Sequence, residues 1–241
     1  MMALLKKEIA NFFSSAIGYL VVGVFLTLTG LLLWVFPGNY NIIDSGYAQV
    51  DGLFSLAPFL YLFLIPAITM RLFAEEKRSG TLELLFTRPI SKWQIVLAKY
   101  LAGLILVLVS LLPTIVYFIS VSLMAEPIGN VDTGGFWGSF IGLFLLASVY
   151  VGIGVYASSL TDNQITAFIL AASISFVLYF GFDLVASLIL SGEKQLLVQS
   201  LGLNAHYKAM SHGVIDSRDV LYFCSVITVF LLGTRWNIRA R

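Results

Sequence analysis

Five long stretches of this 241-residue chain carry no charged side chain: residues 9–43, 52–70, 100–125, 133–161 and 163–182. A helix rises about 1.5 Å per residue, so about twenty apolar residues cross the roughly 30 Å hydrocarbon core of a bilayer. Within lipid the backbone must satisfy its own hydrogen bonds, which a helix does. A shorter charge-free run, residues 220–234, adds a sixth crossing if Arg218, Asp219 and Arg235 lie at or snorkel to the interfaces. Composition leaves no soluble alternative. Hydrophobic residues make up 59% and charged residues 11%, against about 25% charged in an ordinary soluble domain. The same figures exclude a disordered chain. The single cysteine, Cys224, excludes an intrachain disulfide framework and a cysteine metal cluster. A net charge of +1 gives no reason to expect nucleic acid. The expected fold class is all-α: one polytopic membrane domain over residues 1–241, with six transmembrane helices near 17–36, 53–71, 95–124, 136–160, 165–190 and 218–236.

Charge placement orients this bundle, because Lys and Arg favour the cytoplasmic side. With a cytoplasmic start, the inner segments hold Lys6, Lys7, Arg71, Lys77, Arg78, Arg88, Lys92, Lys99, Arg235, Arg239 and Arg241, eleven of the fourteen basic residues. Only Lys194, Lys208 and Arg218 fall outside. Both termini are therefore expected in the cytoplasm, with residues 37–52, 125–135 and 191–217 on the outer side of the membrane. Trp34 and Trp137 fall at outer span ends, Trp93 and Trp236 at inner ends, where the amphipathic indole is favoured. The first apolar run is too long for a cleavable leader and no small-x-small site closes it, so a retained span is expected.

Residues 2–15 place Leu4, Leu5, Ile9, Phe12 and Phe13 on one helical face and Lys6, Lys7, Glu8 and Asn11 on the other, which reads as an amphipathic helix in the inner interface. Glu8 on that polar face is expected to tolerate charge reversal. The segment 71–94 is the most informative. Span two is expected to run on as a charged helix through Glu75, Glu76, Lys77 and Arg78, until Ser79-Gly80 breaks it. Thr81 is placed to cap a second, short helix with Glu83 in its first turn. Pro89 forces Arg88 out of helical angles, and Ser91 with Gln94 matches a capping box opening span three. The short helix carries Leu82, Leu84, Leu85 and Phe86. Four apolar residues in five need a partner, either the inner ends of the protein's own spans or a docking protein. The charge run likewise reads as a solvated flank or as a packed coupling network.

Beyond this segment, Asp183 lies near the outer end of span five, where an acid is tolerated with Lys194 or a neighbouring span as partner. His206 and His212 have no evident third ligand, which argues against a metal site. The pairs Gly138/Gly142, Ser148/Gly152 and Gly154/Ser158 suit close helix packing within the subunit. Leu196, Leu197, Val198, Leu201 and Leu203 suggest short outer helices before span six.

Arg71, Phe73, Glu76, Arg78, Gly80, Thr81, Glu83, Leu85, Pro89, Ile90 and Ser91 together resemble the cytoplasmic coupling region of type-2 ABC transporter permeases. The opening pattern at Lys7, Glu8, Ile9, Phe12, Phe13, Ser14, Ser15, Ile17 and Tyr19 is similar to that family's start, with Ala16 where many members have Pro. Residues 213–223 resemble its lead into the last span, and the three patterns with the short outer loops look like the gliding-motility-associated permease subunit of Bacteroidetes. The resemblance implies a non-catalytic permease subunit. Its coupling helix would dock on an ABC ATP-binding subunit, present in two copies, beside a second permease subunit, with a heterodimer favoured over a homodimer. The implied docking and coupling residues are Glu75, Glu76, Arg78, Gly80, Thr81, Leu82, Glu83, Leu84, Leu85, Phe86 and Pro89. No Gly-x-x-x-x-Gly-Lys-Ser/Thr occurs in the chain, so ATP and Mg are expected on the partner and no cofactor on this chain. A membrane anchor doing mechanical work without passing a substrate is the alternative.

Overall fold

The computed structural model describes residues 1–87, 89–189, 192–211, 213 and 215–238, which are helical with no strand among them. Helix α1 (Met2–Ser14) buries Leu4, Glu8 and Phe12, a stripe at i, i+4, i+8. Ser15, in extended conformation, ends it and turns the chain into α2 (Ala16–Trp34). The two meet so closely that a Cβ on Gly18 would lie 2.4 Å from the Phe12 carbonyl oxygen. The short α3 (Ile42–Ser45) is capped by Asn41, whose side chain accepts from the Ile43 and Asp44 amides. Then come α4 (Asp51–Thr69), which absorbs Pro58 and Pro66, and, after Met70 in helical angles, α5 (Arg71–Arg78).

Gly80 breaks the chain as expected, at φ +70°, and α6 (Thr81–Phe86) follows. Gly80 itself is the N-cap, so Thr81 is the first helical residue and not the cap expected of it; its hydroxyl pairs with that of Ser79 at 2.9 Å instead. The capping box of Ser91 and Gln94 opens α7 (Lys92–Leu111). Pro113 sits in a 3-10 turn (Leu112–Thr114) that passes the chain on to α8 (Ile115–Met124). Helix α9 (Thr133–Leu160) is capped by Asp132. Helix α10 (Gln164–Phe176) widens into a π turn (Val177–Gly181) before α11 (Phe182–Ser187). This helix ends earlier than the expected limit of 190, and Leu190 and Ser191 lie outside the described residues. Helices α12 (Gly192–Gln199) and α13 (Leu203–Ser211) precede α14 (Ser217–Asn237), capped by Asp216.

Among the described residues six helices are long and apolar enough to cross a membrane: Ala16–Trp34, Asp51–Arg78, Lys92–Met124, Thr133–Leu160, Gln164–Ser187 and Ser217–Asn237. Helix α9 is the most buried of them and touches α4, α7, α10, α13 and α14. Its small residues make that possible. A Cβ on Gly154 would fall 1.9 Å from Thr69 Oγ1 in α4, and one on Gly138 2.7 Å from the Met210 carbonyl oxygen in α13. Packing within the subunit is thus what the small-residue spacing in α9 serves. One end of the bundle carries α1, α5 and α6; the opposite end carries α3, α12 and α13.

Candidate functional site

At the α6 end, the joint between α4 and α5 is held by Ser158 near the end of α9. Its hydroxyl accepts from the Phe73 and Ala74 amides at 3.0 and 3.1 Å and donates to the Met70 carbonyl at 2.9 Å. One residue on, the Ser159 carbonyl accepts from Lys77 Nζ of α5 and from Asn237 Nδ2 of α14. A hydroxyl and a carbonyl at one helix terminus therefore bind α5 and α14 to α9, satisfying groups that a helix end leaves open.

The second fixture is ionic. Lys99, in the second turn of α7, is completely buried. Its ammonium donates to Glu8 Oε1 of α1 at 3.0 Å and to the Leu72 carbonyl, stands 2.8 Å from Glu76 Oε2 of α5, and lies 5.0 Å from the Phe73 ring centroid. Lys7 closes the group from the solvent side, donating to Glu76 Oε1 at 3.0 Å. Two cations and two anions, drawn from α1, α5 and α7, thus neutralise one another. A buried charge is costly unless paired and hydrogen-bonded, so the group binds three helices as a unit. The charge run is here a packed network at Glu76 and Lys77 and a solvated flank at Glu75 and Arg78. Glu75 is exposed, and among the described residues its ion pair is with Arg71 Nε, at 3.7 Å. Glu8, expected on an open polar face that tolerates charge reversal, is instead 5% exposed and sits inside the network, where reversal would set a cation against Lys99.

The short helix α6 hangs from this body through Gly80. Its apolar residues do not form one surface. Leu82 is buried against the protein's own core, and Leu85 and Phe86 are half-buried on it, with Lys92 Nζ 6.0 Å from the Phe86 ring centroid. Leu84, at 65% exposure, points away from the protein, flanked by exposed Thr81 and Glu83. Three of the four apolar residues therefore anchor the helix on the protein's own spans, and one is left outward. Pro89 is exposed, and Arg88 lies outside the described residues.

The opposite end is tied by other means. Asp183 of α11 accepts from Asn204 Nδ2 of α13, so its partner is neither Lys194 nor a neighbouring span. His206 of α13 meets Asp219 Oδ1 at 2.6 Å through Nδ1 and the Ser200 carbonyl at 2.8 Å through Nε2, stacked on Tyr222 at 3.9 Å. Both ring nitrogens are thereby engaged; His212 lies outside the described residues. Tyr207 donates to the Phe54 carbonyl at 2.6 Å, and its burial holds the hydroxyl pKa well above the ordinary value, so it stays a donor. Leu196, Leu197 and Leu201 are exposed, while Leu203 is buried.

Sequence reasoning missed Lys99 and Lys7 as site residues. The available signal was a lysine with Ile95, Val96, Leu97, Ala98 and Tyr100 around it, a position that demands a buried acid.

Six apolar crossings, one of them the buried central helix α9, with a short helix set off by Gly80 at one end, define a multi-pass membrane subunit. A family model described as ABC-2 family transporter protein matches residues 2–231, and the chain belongs to that family. It is thus the permease component of an ABC transporter, a membrane subunit that works with an ATP-binding one. No curated protein matches the chain.

Proposed function

We propose that this permease couples ATP hydrolysis by a separate subunit to movement of its own spans, with α6 as the docking helix. Two copies of the ATPase serve a pair of permease subunits, a heterodimer being favoured, in a bacterial inner membrane with both termini cytoplasmic. The likeness of the coupling, opening and closing patterns to the gliding-motility permease supports a role in that system. The observation that carries the coupling reading is the contrast across Gly80. On one side α1, α5 and α7 are locked by the Lys7, Glu8, Glu76 and Lys99 network; on the other, α6 presents Leu84 outward. A push on α6 is delivered to three helices at once, because the ionic group lets none of them move alone. Glu75, Arg78, Thr81 and Glu83, all exposed, supply the polar margin of the docking surface, and exposed Pro89 ends it.

The test is co-purification. Leu84→Asp places a charge in a contact that docking would make dry, so the ATPase subunit should be lost while the permease still inserts and melts normally. Retention of the ATPase by this variant overturns docking at Leu84. Orientation is checked separately in a Cys224→Ser background: cysteines at Ser45 and Asp132 should react with an impermeant reagent in intact spheroplasts, and one at Thr87 should not.

A further inference from the structure

A second feature of the α6 end belongs neither to the ionic network nor to the docking helix. Between the start of α7, the end of α9 and the end of α14 runs an open groove of about 940 Å³. Its walls are Tyr156, Leu160, Leu232 and Gly233, and its rim holds Lys92, Arg235, Trp236 and Asn237. Helix α14 is drawn tightly onto α9 there, since a Cβ on Gly233 would lie 2.9 Å from the Tyr156 ring. The rim carries two cations and, among its described lining, no acid. The acids nearby, Glu83 and Asp162, line a separate cavity on the α6 side that shares Leu160 and Asn237 with the groove.

We infer that this groove holds an anionic phospholipid of the adjoining leaflet, its phosphate between Lys92 and Arg235 and an acyl chain along Tyr156, Leu160 and Leu232. Three observations agree on that occupant. The charge is complementary to a phosphate and unopposed within the groove. Arg235 is pre-organised at the groove, its guanidinium 5.1 Å from the Trp93 ring centroid. Trp236, 76% exposed beside them, is the ring that favours the headgroup level. Basic pockets between spans at the membrane surface are where anionic headgroups bind. The lipid would bridge the first turn of α7, next to α6, and the last turn of the final span. This binding site goes beyond the coupling role and stands without it.

The tryptophans make the test selective, because Trp93 and Trp236 adjoin the groove while Trp34 and Trp137 lie at the opposite end. The full-length Trp34→Phe/Trp137→Phe protein is reconstituted in phosphatidylcholine vesicles and titrated with brominated phosphatidylglycerol or brominated phosphatidylcholine. Quenching by the glycerol lipid should reach half its limit at a mole fraction lower by about fivefold for each cation engaged. Lys92→Gln/Arg235→Gln should erase the preference, and Arg235→Lys should keep most of it. Lys92 and Arg235 are both exposed, so these variants retain the fold, checked by an unchanged helical circular dichroism spectrum. Equal quenching by the two lipids overturns the inference, as does a preference that survives the double glutamine variant. Loss of the preference on adding inorganic phosphate would assign the site to free phosphate, and overturns it as a lipid site.

Discussion

Helices α5 and α6 are consecutive in sequence and opposite in circumstance. The first is the more charged, yet buries Leu72, Phe73 and Ala74 and draws Glu76 into a group of four ions. The second is the more apolar, yet only Leu82 is buried and Leu84 stands outward. Charge inside and leucine outside reverses the rule for soluble surfaces, and the reversal locates the two tasks. A rigid element has to be cross-linked to its neighbours, and directional ion pairs among three helices do this. An element that meets a partner must keep apolar surface free, because desolvating that surface gives association its driving force.

The sharpest way to break the comparison is to remove the ion at its centre. Lys99→Met deletes the cation that serves both Glu8 and Glu76 and leaves the two acids, among the described residues, with the ion pairs to half-exposed Lys7. Breaking a buried pair costs about 3–5 kcal/mol, so a marked fall in melting temperature and yield in detergent is expected. Adding Glu8→Gln and Glu76→Gln to Lys99→Met should recover much of the loss, since no unpaired charge then remains. Recovery absent in the triple variant would mean that lysine packing, not charge, holds the helices.

Reversal at single acids ranks the members next. Glu76→Lys and Glu8→Lys each bring a third cation against Lys99, and both should destabilise by several kcal/mol. Among the described residues Glu75→Lys meets the half-buried Arg71, and because Glu75 itself is exposed the change in stability should be about 0–1 kcal/mol. A thermal-melt series that placed Glu8→Lys beside Glu75→Lys would return α1 to an independent interfacial helix and confine the rigid body to α5 and α7.

That ranking also marks where the sequence was legible. Signals carried within one continuous segment read correctly: charge-free runs gave the crossings, Gly80 the break, and Ser91 with Gln94 the start of α7, though the cap of α6 fell on Gly80 rather than Thr81. Partnerships at long range did not read. Lys99 and Glu8 are 91 positions apart and Ser158 lies 85 from the Phe73 amide it accepts from, and no periodicity within a helix encodes such a meeting. Counting Lys99 among the inner cations gave an orientation but concealed that it lies within the packed core. The four apolar residues of α6 were visible as a group; their division into anchor and outward face was not, because it depends on where α6 sits against the inner ends of the spans.

A small effect on stability separates strain from coupling. Gly80 and Gly46 share one backbone state, φ +70° and +67°, and a Cβ on either would meet nothing within 4 Å. Alanine at each position therefore adds only the left-handed backbone penalty, about 1 kcal/mol, with no steric contribution to confuse it. Gly46 lies in the loop after α3, at the end of the bundle opposite Gly80. Both variants should melt alike, slightly below the parent. They should part in function: Gly80→Ala biases the turn between the outward helix and the clamped body, so ATPase activity of the assembled complex should fall with that substitution and not with Gly46→Ala. Equal ATPase activity in the two variants would show that α6 is positioned by its Leu82, Leu85 and Phe86 contacts, with Gly80 serving as a passive turn.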